Sequence, residues 1–322
     1  MKRIILIIST VLCLVSLENY YKVSKEEIPI AIAKEYQNSF GINVGKNIVD
    51  DFSAWKNSSS YKYNKYFTGV TDTTYLEKGT KNGVTEKLTV LGKQLSINGL
   101  TYGMKIDEIK KNYPFAKKLE AVAKNRRITV NLTNELLNER PLLYVAPYFY
   151  ELHIDTVTKK LLGVSMYTFD GFLAERSYPF TYYSGSKLSK KKEIPTSKSY
   201  SNVMSDQVFD ATVIVRQLYG KSVLKDQKSL EKVAFKHSLD MYNRNYFEHV
   251  SPDGGTLKNR LLDGEIIYMM AGENLAYNYD DSVRTVIGWL NSPGHRKNLL
   301  HKSYKKMGIG VYGPYITQNM IK

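Results

Sequence analysis

Residues 184–205 divide the chain. The stretch Ser184-Gly185-Ser186-Lys187-Leu188-Ser189-Lys190-Lys191-Lys192 continues through Pro195 to Ser201 and is rich in Ser, Lys and Gly. It holds few large apolar side chains, so it reads as an exposed linker. A chain of 322 residues, at roughly 150 per domain, has room for about two domains. The linker sets their boundary: an α+β module over 85–183 and a second domain over 206–322.

The first eighteen residues concern compartment. Met1-Lys2-Arg3 is followed by a 14-residue, mostly apolar run from Ile4 to Leu17, which Glu18 ends. A basic start followed by a short apolar core is the layout of an export signal. As a helix the run rises only ~21 Å, short for a hydrocarbon core of ~30 Å. Residues 1–18 are therefore expected to be an export signal, with an uncleaved N-terminal anchor as the alternative. The protein is then secreted or held at the outer face of the membrane. The one cysteine, Cys13, lies in this segment, so a mature chain without it has none. Thr10-Val11-Leu12 before it lacks the small residue of a lipidation site. A single cysteine also excludes an internal disulfide, a cysteine-based zinc knot and a CxxC redox site.

The formal net charge is +15. It is spread as +7 over residues 1–183, +3 over 184–206 and +5 over 207–322. A nucleic-acid binder concentrates its charge on one face or carries a reader motif, and neither is present. For an exported chain the expected anionic partners are cell-wall polymers or a membrane surface, beside an extracellular ligand that the sequence does not name.

Within the first region, Gly99–Met104 leads into Ile106–Tyr113 with Pro114 behind it, which predicts a strand, a turn and a short helix stopped by proline. Leu143–Asp155 and Leu161–Phe169 predict a hairpin. Residues 19–84 are less regular. Ala31–Phe40 has helical texture, and Asn57–Tyr66 reads as a spacer. In the second region Val208, Ala211, Val215, Leu218 and Tyr219 recur at helical spacing. So do Leu230, Val233, Ala234, His237 and Met241, and Val283, Val286, Ile287 and Leu290. Met307–Tyr312 alternates as a strand, Gly313-Pro314 turns, and Tyr315-Ile316-Thr317 begins a return.

Three residues near turn signals carry candidate chemistry: His249, Glu273 and His295. Two imidazoles and a carboxylate from separate segments, brought into one cleft, would suit zinc or another divalent metal with one position open. Glu273 is then the candidate catalytic group, orienting or deprotonating a water. There is no HExxH, so the two-His helix of metalloproteases is absent. His237, Met241 and Trp289 fit core spacing. Asn274 is expected to bond backbone at the cleft rim, because its amide both donates and accepts. His153, in an alternating strand, and His301, in a basic loop, are given no role.

The motifs of the second region resemble those of the CAP family (cysteine-rich secretory proteins, antigen 5 and pathogenesis-related 1 proteins) in its cysteine-free bacterial form. They run in family order: Val233–Met241, Tyr246–Gly254, Ala271–Ala276, Trp289–Leu300 and Met307–Val311. The first region is similar to the CAP-associated N-terminal domain, on the strength of Gly99–Pro114 and the hairpin after it. The resemblance implies an α+β fold, with an α-β-α sandwich of central cleft preceded by a smaller α+β module. It implies that His249 and Glu273 match the family's first His and first Glu. Ser292 stands where relatives place a second Glu, and is expected to support the cleft. His295 belongs to the bacterial Ser-Pro-Gly-His variant. The expected function is an envelope or extracellular binding module without turnover. A metal-assisted hydrolase acting on peptide or wall material is the alternative, and a structural envelope or developmental protein the second.

Overall fold

A computed structural model describes residues 56–58, 62–63, 65–71, 73–184 and 187–322. The expectations for 1–18, Cys13 and Ala31–Phe40 fall outside these residues. Among the described residues no helix is long and apolar enough to cross a membrane.

The N-terminal module opens with four strands: β1 (Lys56–Ser58), β2 (Lys65–Thr71), β3 (Thr74–Lys81) and β4 (Val84–Gly92). Asn82 and Gly83, both at positive φ, make the two-residue turn between β3 and β4. A small hairpin, β5 (Ser96–Ile97) and β6 (Leu100–Thr101), precedes helix α1 (Ile106–Asn112), and Pro114 follows the helix. Next come β7 (Lys118–Ala123), β8 (Arg126–Asn131) and α2 (Asn134–Glu139), then β9 (Leu142–Val145), β10 (Tyr148–Asp155) and β11 (Lys160–Tyr167). Helix α3 (Phe169–Glu175) and β12 (Phe180–Tyr183) close the module. The expected hairpin is β10–β11, paired antiparallel.

The strands form a seven-stranded sheet in the order β1-β2-β3-β4-β11-β10-β9 and a three-stranded sheet β12-β8-β7. The module therefore reaches well below residue 85. β4 pairs with β11 through Val90 and Val164, and β3 with β4 through Leu76 and Val90. Part of the expected spacer, 57–66, lies in β1 and β2. These strands lack a period-two pattern because the central sheet is covered on both faces. In β4 Lys87, Leu88, Thr89, Val90 and Leu91 are all buried, so polar and apolar residues share the interior without alternating.

The C-terminal domain begins with α4 (Lys198–Leu218), capped by Ser197, whose hydroxyl accepts from the Tyr200 N–H at 3.3 Å. The expected linker thus ends at Ser197, and Tyr200, Ser201 and Met204 are buried helix residues. β13 (Lys225–Asp226), α5 (Lys228–Arg244), α6 (Leu257–Asp263), β14 (Ala271–Tyr277), α7 (Ser282–Asn291), α8 (Pro293–Leu299), β15 (Lys306–Tyr312) and β16 (Tyr315–Ile321) follow. The sheet runs β13-β15-β16-β14. Met307, Ile309 and Val311 of β15 face a core shared with α4, α7 and α8. Gly308 and Gly310, on the other face, let α5 lie directly against the strand. The result is an α-β-α sandwich.

The two regions share that core. Tyr75, Leu91 and Leu162 of the large sheet join the cluster built by α4, α7 and α8. Polar groups are buried in the same seam. Lys87 pairs with Glu77 at 2.5 Å and with Asp281, the residue that caps α7. Arg284 reaches Glu151 at 3.1 Å and Glu175 at 2.9 Å, and Arg296 reaches Asp155 at 2.9 Å.

Candidate functional site

Three elements beyond α5 bring the site together. Helix α5 ends at Asn245 in the left-handed conformation, φ 52°, which turns the chain into the loop that carries His249. Helix α6 follows, its start fixed by a reciprocal Thr256–Asn259 capping box, and presents Arg260. Strand β14 places Glu273 between them.

The Glu273 side chain is nearly inaccessible, 3% exposed. Both of its oxygens accept from Arg260 Nη2, each at 2.9 Å, and Oε1 also accepts from His249 Nδ1 at 2.9 Å. Arg260 Nη1 meanwhile donates to the carbonyls of His249 and Gly255, both at 3.1 Å. One guanidinium therefore ties the loop to the strand. Charge-assisted bonds of this kind are short and strong.

The three histidines near the cleft differ in environment. The hydrogen bond to Glu273 raises the pKa of His249 above its ordinary value, against a partial loss of solvation. His249 stays 54% exposed at its side chain, so its ring is available to a ligand. His295, on α8, is lowered by burial and by the nearby charge of His249. His237, on α5, is 1% exposed and lowered by burial. Its Nε2 donates to the Glu248 carbonyl at 3.1 Å and lies 4.0 Å from Glu273 Oε1.

Next to Glu273 on β14, Asn274 is fully buried. Its Nδ2 donates to Gln318 Oε1 at 2.9 Å and to the His295 carbonyl at 3.3 Å, and its Oδ1 accepts from Asn298 at 3.2 Å. It joins β14, β16 and α8. Ser292 marks the junction of α7 and α8: its N–H donates to the Trp289 carbonyl and its own carbonyl accepts from Arg296. Its side chain caps neither helix. Trp289 and Met241 are buried, and the Trp289 indole donates to the Leu275 carbonyl at 2.8 Å.

The structure thus brings His249 and Glu273 into contact and leaves His295, on α8, near enough to feel the charge of His249 but with no hydrogen bond to either side chain. Two participants were missed in the sequence. His237 looked like a core residue because it keeps helical spacing, and it is one, yet its ring also flanks Glu273. Arg260 gave no signal, since an arginine in a short polar helix resembles any solvated cation. Among the described residues no three His, Cys, Asp or Glu side chains are gathered to hold a metal ion. Both oxygens of the expected carboxylate ligand already accept from one guanidinium, so a cation placed there would face the charge of Arg260.

Residues 209–315 match the cysteine-rich secretory protein family (CAP), and residues 53–178 match the CAP-associated N-terminal family. The chain is 32% identical over 266 residues to the uncharacterized membrane protein YlbC of Bacillus subtilis (strain 168), covering 82% of this chain and 76% of that protein. It is similar to the crystal structure of an extracellular protein containing an SCP domain from Bacillus anthracis str. Ames. That likeness has a TM-score of 0.75 and 30% identity, and covers 83% of this chain and 88% of the other. A cysteine-rich secretory protein from Staphylococcus aureus subsp. aureus Mu50 shares the fold, with a TM-score of 0.69 at 20% identity over 80% of this chain and 82% of its own.

Proposed function

As a member of the bacterial CAP family with a CAP-associated N-terminal domain, the chain has the fold of a cleft protein, and we propose that it is a binding module of the cell envelope or extracellular space that turns over no substrate. The observation that carries this is the state of Glu273. A general base must be free to take a proton from water, and a metal ligand must offer a lone pair to the ion. Here both carboxylate oxygens are held by Arg260, and one of them also by His249. In this reading the carboxylate orients His249 and Arg260, and its burial keeps substrate from it. What the cleft offers an incoming ligand is the exposed face of His249 and the ring of His295. Export fits the basic, apolar N-terminal run, and the B. subtilis and B. anthracis relatives are described as a membrane and an extracellular protein.

The test combines metal analysis with retention on isolated cell envelopes, for wild type, His249→Ala and His295→Ala. Retention that falls at least about tenfold in the His variants, with no bound metal above background, is expected. Stoichiometric zinc that is lost in His249→Ala, together with cleavage of a peptide or wall library, would replace this reading with the hydrolase.

A further inference from the structure

The Ser/Lys segment does not stream into solvent. Leu188 is half-buried against the apolar cluster around α3, and Arg176 donates to the Ser189 carbonyl and hydroxyl. Arg176 itself sits just past α3 at φ 48°. The left-handed backbone is unfavourable for a side chain of this kind, so the clamp is held at a cost. Its effect is to fold Lys187 to Lys192 back over the module, where they wall a cavity of about 430 Å³. That size is within the ~300–1,000 Å³ of small-ligand pockets.

The lining is of one sign. Eight Lys or Arg side chains border the cavity and a single carboxylate, Asp170, faces them. Lys81 comes from the end of β3, Arg126 from the start of β8, and Arg176 from the end of α3. Arg126 already holds Asp170, and Lys62 holds Glu175 at 2.8 Å and Asp280 at 3.0 Å. Exposed Lys187, Lys190 and Lys191 have no ion pair among the described residues. An unbound tail of lysines relaxes away from other cations. This one is fastened toward them, against Coulomb repulsion, by an uncharged leucine and an arginine clamp. An anion between the walls would relieve that repulsion.

We propose that the cavity between α3 and the Lys187–Lys192 segment binds an anion that carries two or more phosphoryl groups in succession, either free or as part of a phosphodiester polymer. The lysines supply mobile point charges, and the guanidiniums of Arg126 and Arg176, engaged with Asp170 and Ser189, add fixed positive charge to the wall. The site lies in the N-terminal module and linker and is independent of the His249 cleft.

Sodium tripolyphosphate is titrated into the full chain by calorimetry, and into Lys190→Glu/Lys191→Glu. These lysines are exposed, so the variant is expected to keep the wild-type melting temperature. Saturable binding that weakens at least about tenfold in the variant, and fades toward ~1 M salt where the Debye length is ~3 Å, is the expected result. A parallel titration with poly(glycerol phosphate) reports the polymeric source: binding there as well points to the phosphodiester, and binding of tripolyphosphate alone to the free anion. No binding of either phosphate, equal binding by the variant, or binding only to phosphatidylglycerol vesicles would overturn the proposal. Intact phosphate binding in His249→Ala keeps this result separate from the fate of the cleft reading.

Discussion

Glu273 is buried, and Arg260 and His249 donate to its carboxylate. Removing one partner of such a pair leaves the other charge stranded, which typically costs about 3–5 kcal/mol. Arg260 has a side-chain exposure of 13%, so little solvent compensates. Arg260→Met is expected to lower stability by about 3 kcal/mol in denaturant unfolding, and Glu273→Gln added to it should recover part of that loss. A double variant no more stable than the single one would show that the pair is not coupled. The histidines give a second check, by NMR titration of the ring protons. His249 should titrate above ~6.5, and His237 and His295 below it. Glu273→Gln should bring His249 down. A raised His249 contributes stability that is fully present below the unfolded pKa, and that is lost as pH rises through its folded value. Because the ring is half-exposed, the contribution is small. His249 and Glu273 were legible in the sequence because each sits in a dense local motif beside a turn. Arg260 was not, because its importance lies in what a distant strand places opposite it.

At the scale of elements, the sandwich depends on how closely α5 approaches β15. A Cβ at Gly310 would lie 2.0 Å from the Phe235 nitrogen, and one at Gly308 would lie 2.3 Å from the Glu231 nitrogen. Both obstacles are helix backbone, which cannot rotate away. The same approach lets Ser238 on α5 donate to the Gly310 carbonyl at 2.9 Å. Gly310→Ala must push the helix off the sheet, and overpacking on this scale is expected to cost at least about 3 kcal/mol. A melting temperature within a few degrees of wild type would refute the argument. Gly294, with nothing within 4 Å of its added Cβ, is the control that should tolerate alanine. The alternation of Met307, Ile309 and Val311 made this strand visible in the sequence, and helical spacing made α4, α5 and α7 visible. The glycines read as part of a motif without their reason, since the helix they admit lies more than seventy residues earlier. β2 to β4 stayed hidden for a related cause. Glu77 and Lys87 are polar residues that a pattern search assigns to solvent, and here they neutralise each other inside.

At the scale of the whole molecule, the exposed linker marked a boundary between two domains, and the buried seam argues for one cooperative unit. Its charges are Glu77, Glu151, Glu175, Asp280 and Asp281 against Lys62, Lys87, Arg140 and Arg284. The module's ion pairs with the C-terminal domain end on Asp280, Asp281, Arg284 and Arg296 among the described residues, and not on the cleft groups. Burial alone would raise every carboxylate, yet Arg284 and Arg140 outweigh it at Glu151 and hold that group at about 2. Burial opposes and nearby cations prevail also at Glu175, Asp280 and Asp281, which are lowered, whereas Glu77 is raised by burial. A carboxylate lowered on folding contributes stability that is present above its unfolded value near ~4 and is lost as pH falls through the folded one. His153, beside the network and lowered to about 4 by burial, acts in the same direction over a higher window: its contribution falls as pH drops from ~6.5 through about 4. Glu77 opposes this trend but is outnumbered. Calorimetry of the full chain should therefore show the two described regions melting in a single transition at pH 7. That transition should fall steadily below pH ~6.5, most steeply between ~4 and ~2. Arg284→Met, which strips Glu151 and Glu175 of a shared partner, should lower stability at pH 7 by about 3–5 kcal/mol and flatten the acid limb, since part of what acid removes is already gone. Two separate transitions at pH 7, or an acid limb of unchanged slope in Arg284→Met, would mean that the seam is contact without coupling.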